Sequence, residues 1–499
     1  MNRPIVLIHG YSDKGESFRT WRDKLGSGDP AWEIETISTG NYESLTDEVT
    51  IKDLADGLDR ALRAEFGNDV QEFDAIVHST GMLVIREWFV RDRRRLGRLK
   101  HLVAIAPATF GSPLARQGRS WLGAVFKGEK HLGPDFLAAG DAILDGLELA
   151  SPYTWDLAFR DIFNEQPFFD ESPDTPYVFV FCGTEAYGGL RQLANSPGMD
   201  GTVRWAGAGL NTRKIILDLT RAAATHVSVE KWMGTNVPVH LMAGMNHGTI
   251  IAEPTDELVS LAKKALRVNG ADEFRAWLTA ADAHGRGAAV AAEKGAWQQV
   301  VVRCVDQRGD PIRDFHIQLF DGDDPIPDFD DEHVAVYSRD HSYRCFHFDV
   351  DKLLARSSLT VKVMALSAST WIDFQGFGWE RESAPLPSPT ANERWDAMFD
   401  LTPVLQRDRQ LLKDIRSGAI PFGTGNVVIV PSAGAMRAIV RPLSFANQRL
   451  LSGPLVIPSG RSAAPGGTTN SVLAASGRQK ISAIRVFRRQ ICLKFKGMS

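Results

Sequence analysis

Over roughly the first 265 residues, short apolar runs alternate with amphipathic stretches. The runs are PIVLIH (4–9), EIETIS (33–38), FDAIVH (73–78), HLVAIA (101–106), YVFVFC (177–182) and VPVHLMA (237–243). They are rich in Val and Ile and apolar almost throughout, the pattern of strands covered on both faces of a parallel sheet. Between them the period changes. TDEVTIKDLADGLDRALRAEF (46–66) reads as a helix, and in PTDELVSLAKKALRV the residues Leu258, Leu261, Ala262, Ala265 and Leu266 share one helical face. Repeated strand–helix units predict an α/β fold over residues 1–268, with a doubly wound, mostly parallel sheet. One connection breaks the rhythm: residues 107–176 are too many for a structureless loop and predict an insertion with structure of its own.

After residue 268 the pattern shifts. Residues 269–297 are rich in Ala and Gly and predict a helical linker. From Trp297, WQQVVVRCVDQRGDPIRDFHIQLFD reads as strand–turn–strand with its turn at Gly309–Pro311. HVAVYSRDHSYRCFHFDV, LTVKVMALS and RWDAMFDLT continue in the same style, so residues 298–404 predict a small antiparallel, β-sandwich-like domain. Residues 405–499 turn to Gly, Ser, Pro and Ala, with no acidic residue after Asp414, and read as a basic tail with no assigned function.

Composition narrows the function classes. The chain is 43% hydrophobic and 24% charged with net charge −4, which gives no bias toward nucleic acid, and none is expected as a partner. The start, MNRPIVLIHG, reads as a first strand and not as a signal peptide. No run approaches the ~18 apolar residues of a membrane span. A cytoplasmic protein, or one exported without a cleaved leader, is expected. Cys182, Cys304, Cys345 and Cys492 show no metal spacing, although Cys304 and Cys345 could meet across the sandwich. FDGDDPIPDFDDEH lacks the EF-hand spacing and reads as a solvated acidic loop, so neither a metal nor a cofactor is expected.

The chemistry concentrates at AIVHSTGMLVIREW (75–88), where Ser79 stands between a predicted strand and a predicted helix. A serine hydroxyl is a weak nucleophile until a base takes its proton and a carboxylate orients that base. A sharp strand-to-helix turn would expose Oγ and aim the Thr80 N–H at a developing oxyanion. Small residues two positions either side relieve crowding there; Gly81 complies and Val77 does not. The competing reading makes Ser79 a helix cap. Chain order favours chemistry, because serine, acid and histidine should follow one another on loops after successive strands. His247 lies in AGMNHGTI beyond VPVHLMA, and Asp200 lies in NSPGMDGTV beyond YVFVFC. Glu185, in CGTEAY, is the competing acid. His78 is expected to point away from Ser79, and His240 sits inside a strand. The second oxyanion donor is expected to be the Tyr11 N–H, in a loop braced by His9.

Together PIVLIHGY, VHSTG, PATFGSPLA, MDGTV and MNHG resemble the lipase branch of the α/β-hydrolases, over residues 1 to about 265. Bacterial lipase-like hydrolases and the lecithin–cholesterol acyltransferase group share that layout. The resemblance implies a triad of Ser79, Asp200 and His247, and departs from the family at Val77, where many members carry Gly or Ala. It implies that 107–176 forms a lid whose apolar residues, Trp121 and Phe126 among them, receive acyl chains; the alternative is that they pack the insertion's own core. The expected activity is that of a serine carboxylic-ester hydrolase, lipase- or phospholipase-like, acting on lipid or long-acyl esters. An acyltransferase with the same triad, and a non-catalytic interaction protein on the same fold, are the alternatives. The β domain is expected to place the enzyme on a lipid surface or a partner.

Overall fold

Each of the six apolar runs becomes a strand of one sheet. In chain order the strands are β1 (Ile5–Ile8), β2 (Ile34–Ile37), β3 (Phe73–His78), β4 (Leu99–Ile105), β5 (Tyr177–Gly183), β6 (Thr212–Leu217), β7 (Val227–Val229) and β8 (Val239–Met242). Their source is a computed structural model that describes residues 3–8, 17–27, 34–37, 49–68, 70–118, 141–166, 168–169, 171–187, 197–217, 227–229, 237–291, 297–305, 311–313, 315–321, 324–326, 334–349, 360–366, 374–376, 409–416 and 428–429. The main sheet is parallel throughout, in the order β2-β1-β3-β4-β5-β8. The chain first runs from β1 to one edge, then returns past β1 to β3. Such a reversal opens a crevice at the carboxyl ends of the strands, and Ser79 follows β3 at that crevice.

Helices cover both faces. They include α1 (Arg19–Gly26), α2 (Ile51–Phe66) and α3 (Gly81–Val90). The start of α2 is fixed by a reciprocal cap: the Thr50 hydroxyl accepts from the Asp53 N–H, and the Asp53 carboxylate accepts from the Thr50 N–H. Its buried stripe, Ile51, Leu54, Ala55, Leu58 and Leu62, lies in one core with Val6, Ile8, Ala75, Val77 and Ala104 of the sheet. On the opposite face Ile5, Leu7, Ile76, Val103 and Ile105 pack with Trp21 of α1. Leu258, Ala262, Ala265 and Leu266 of the later helical stretch are buried on that same face, with Leu261 half-buried against it. The helix Ala271–Ala291 begins against the sheet, where the Trp277 ring lies 5.1 Å from Phe179 and 5.3 Å from His240.

Within the insertion, the described helices Asp141–Leu147 and Pro152–Arg160 bury Ile143, Leu144, Leu147, Trp155 and Leu157 in the α2 core. Trp121 and Phe126 lie outside the described residues. Fully buried Arg86 of α3 ties the insertion down: Nε and Nη2 donate to the two oxygens of equally buried Asp161, at 2.7 and 3.1 Å, and Nη1 donates to the Thr109 carbonyl at 2.8 Å.

The remaining strands are β9 (Trp297–Val305), β10 (Phe315–Asp321), β11 (Asp324–Pro325), β12 (Ala335–Val336), β13 (Tyr343–Asp349), β14 (Thr360–Leu366), β15 (Phe374–Gly376), β16 (Arg409–Arg416) and β17 (Val428–Ile429). They complete two sheets, β11-β10-β14-β15-β17 and β12-β13-β9-β16-β6-β7. The first is antiparallel. The second takes in β6 and β7 from between β5 and β8, and its β16 runs parallel to both β9 and β6. Register also decides the cysteines. Cys345 pairs across from Val301, whereas the Cys304 N–H donates to the Ser342 carbonyl, three positions away. Cys304 and Cys345 are both free thiols, so the anticipated meeting does not occur.

Trp297, Val301, Tyr337, Tyr343 and Cys345 are buried in the same core as the main sheet, and residues Met1–Ala433 form one compact unit. The RWDAMFDLT run, most of the acidic loop and the unit Gly434–Ser499 lie outside the described residues. Among the described residues, no helix is long and apolar enough to cross a membrane.

Candidate active site

Three loops at the carboxyl ends of β3, β5 and β8 bring together Ser79, Asp200 and His247. Ser79 adopts φ +52°, a left-handed conformation that a residue with a Cβ rarely takes and that marks a strained turn. The turn is held at both ends. The Ser79 N–H donates to the Ile105 carbonyl at 3.2 Å, and its own carbonyl accepts from Ala108 at 3.1 Å and Met82 at 3.2 Å. Val77 fits because its direct cross-strand neighbours are Ile8 and the small Ala104. All three share the α2 face, so Ala104 leaves the space that a glycine at 77 would otherwise supply.

His247 Nε2 lies 3.1 Å from Ser79 Oγ, and Nδ1 lies 3.0 Å from Asp200 Oδ2. An ionised carboxylate only accepts, so Nδ1 carries the ring proton and Nε2 presents its lone pair to the serine hydroxyl. Asp200 is itself tightly placed. Its Oδ1 accepts from the Thr202 and Val203 N–H groups at 2.9 and 2.7 Å, and its carbonyl accepts the His247 N–H at 2.9 Å. All three side chains are buried. Glu185 is half-buried, and its carboxylate accepts from its neighbour Thr184 at 3.2 Å.

Thr80 begins α3, and its N–H meets no partner among the described residues. It is therefore free to point at charge developing beside Ser79 Oγ. Tyr11 and His9 lie outside the described residues.

His78 has a role that the sequence did not reveal. Its Nε2–H donates to the His247 carbonyl at 3.2 Å, and the two rings lie 4.8 Å apart. Strand alternation explains this: His78 shares its face with Ile76, onto which Met245 and Ile250 of the following loop also pack. His240 instead stacks on Phe181 at 5.2 Å and stays inside the sheet.

The acid loop has supports the sequence did not reveal. Ser112 Oγ donates to the Thr202 carbonyl at 2.5 Å, which gives the PATFGSPLA segment a bracing role. Gly198 (φ +74°) lies under the Trp297 ring, so close that a Cβ there would stand 2.4 Å from the indole. Gly201 (φ +93°) is packed in the same way against Tyr187. Arg204, buried at the loop's end, donates through Nη1 to Cys345 Sγ at 3.7 Å. Burial pushes the Cys345 thiol up to about 11 and outweighs the pull of that guanidinium. Further out, both oxygens of buried Glu148 accept from Ser338, from its N–H and its hydroxyl, each at 2.7 Å. The second sheet thus touches both the acid loop and the insertion.

No protein-family model matches the sequence, and no curated protein matches it. Solved structures do. The chain is similar to phospholipase PlaB from Legionella pneumophila, at 20% identity and TM-score 0.64, over 84% of this chain and 94% of that one. The complex of that phospholipase with thio-NAD matches at 19% identity and TM-score 0.62, over 83% and 93% of the two chains. The mature form of Bacillus licheniformis lipase BlEst2 aligns at 12% identity and TM-score 0.36, over 53% and 92%. The parallel sheet, its switch point and the PlaB superposition agree: the chain has the α/β-hydrolase fold.

Proposed function

We propose that the chain is a serine hydrolase of carboxylic esters that acts on lipid-like substrates. The observation that carries this reading is the hydrogen-bonded series Asp200–His247–Ser79, with the serine on a strained turn. As Ser79 Oγ attacks the acyl carbonyl, its proton passes to His247 Nε2, and Asp200 stabilises the imidazolium that results. The oxygen that gains charge is held by the Thr80 N–H and by that of Tyr11. Collapse expels the alcohol, which takes the proton from His247 and leaves an acyl-enzyme on Ser79 Oγ. Water then repeats the sequence in the same order and frees the acid. Burial of the three side chains supports the mechanism by strengthening each of these interactions. The lipid-like substrate class rests on the similarity to a phospholipase and on the insertion, with Trp121 and Phe126 as its acyl contacts.

The test is covalent labelling by a fluorophosphonate followed by peptide mapping. Ser79 should carry the label, and Ser79→Ala should neither label nor hydrolyse a nitrophenyl ester while keeping its melting temperature. The expected loss is about 10⁶ in kcat, as for removal of the nucleophile from a serine protease. A folded Ser79→Ala protein with comparable turnover would sink the reading.

A further inference from the structure

Beyond the far end of α3 the chain carries a dense run of cations, RDRRRLGRLK (91–100). Neighbours occupy most of them. Arg91 meets Asp56 and Glu87, Arg93 lies over the Phe168 ring at 4.6 Å, and Lys100 reaches Glu72 at 3.4 Å. Arg95 holds Asp59 at 2.6 Å and stacks over Trp88 at 4.6 Å. Arg98 is different. It is half-buried, and its guanidinium has no hydrogen-bond or ion-pair partner among the described residues.

Arg98 lines a cavity of about 230 Å³, with Arg63, Arg94 and Arg95 facing Asp59 and Asp92. Four guanidiniums against two carboxylates leave the wall with an excess of two positive charges. Asp59 is already engaged by Arg63, Arg95 and the Trp88 indole N–H, so it is not available to neutralise Arg98. Arg94 donates to Asp92 through Nε and Nη2 but is 89% exposed, so its guanidinium is open to a ligand from the solvent side. The volume falls below the ~300 Å³ at which pockets for drug-sized molecules begin, which suits a head group. Guanidiniums in this number match a phosphate, whose oxygens accept paired N–H groups.

We propose that this cavity binds a phosphate monoester, with Arg98 and Arg94 as its direct donors and Arg63 and Arg95 supplying the surrounding charge. The site is separate from the ester chemistry. Helix α3 runs from the serine turn to Trp88 on the cavity wall, about 10 Å of helix. The ligand is therefore no substrate in transit; it is either a lipid head group or a free phosphate compound.

The experiment uses the full chain and two variants, Arg98→Gln and Arg94→Gln. Inorganic phosphate is titrated calorimetrically at constant ionic strength against a chloride control. Co-sedimentation is measured with phosphatidylcholine vesicles, with and without phosphatidic acid. Saturable phosphate binding that weakens about tenfold or more in both variants supports the site and a soluble ligand. Sedimentation that needs phosphatidic acid and is lost in both variants supports it with a lipid ligand. Hydrolysis of a soluble ester should be unchanged throughout. Wild type binding neither probe above its control, or all three proteins binding alike, overturns the proposal. Arg94 is 89% exposed, so its variant keeps the outcome readable if Arg98→Gln fails to fold.

Discussion

At Asp200, one carboxylate oxygen holds the histidine and the other accepts two backbone N–H groups, so each oxygen has a separate task. In Asp200→Asn the amide nitrogen can face only one of these sets. Whichever way it turns, it presents N–H to a donor, and the imidazole loses either its tautomer or its anchored partner. We expect kcat to fall by about 10⁴, as for the equivalent change in a serine protease, with KM little altered. Glu185→Gln, whose carboxylate sits on Thr184, should be nearly normal on the same soluble ester. A dead Glu185 variant would move the acid assignment. The thiols give a second reading at this scale. Cys182, Cys304 and Cys345 are buried, and Cys345 is held protonated near neutral pH. A disulfide reagent such as DTNB should therefore modify none of the three in the native protein and all three after denaturation.

At the scale of elements, α3 carries the elbow at one end and is fastened along its length. Asp161 neutralises Arg86 where neither side chain sees solvent. Asp161→Ala leaves a buried guanidinium without its charge partner and should cost about 3–5 kcal/mol, read as a drop in denaturation midpoint. A loss under 1 kcal/mol would mean that water or another group takes over. At the next residue, Glu87 meets Arg160 and Arg91. Burial works against the charged carboxylate, but the hydrogen bonds and charges of these arginines prevail and hold it below the usual range. Because the folded pKa is the lower one, ionised Glu87 stabilises the fold above the unfolded carboxyl's ~4.3. That contribution is lost as pH falls through the folded value. Between pH ~4.3 and the folded value, wild type should lose melting temperature more steeply than Glu87→Gln.

This is also the scale at which the sequence was most legible. Strands buried on both faces write continuous apolar runs, so the six strands of the main sheet could be read directly. β6 could not, because Arg213 and Lys214 interrupt TRKIIL and its partners lie far along the chain. Ser79, Asp200 and His247, which the structure brings together, could be singled out because the fold's chain order constrains where such residues lie. The role of His78 depends on which face of β3 the His247 loop packs against. The Glu148–Ser338 clamp joins residues 190 apart, and no local pattern encodes such a contact.

For the molecule as a whole, the second sheet is a structural support of the Asp200 loop. Trp297 covers Gly198, and Cys345 receives Arg204, on either side of Asp200. Trp297→Ala should open a cavity worth about 3–5 kcal/mol and release the acid loop, lowering kcat as well as stability. Unchanged kcat in a destabilised Trp297→Ala protein would separate the sheet from catalysis.

The position of β16 has a consequence for how the protein is made. β6 begins five residues after Gly207 of the acid loop, yet one of its neighbours in the sheet is β16, at Arg409–Arg416. A ribosome delivers the serine, acid and histidine long before it delivers that strand, at roughly 5–20 residues per second. For the interval, on the order of ten seconds or more at those rates, the sheet that braces the acid loop lacks the strand that joins β9 to β6. Under the proposed function, the nascent chain would hold Ser79, Asp200 and His247 before the sheet that supports the Asp200 loop is complete, so translation itself would delay the first cleavage.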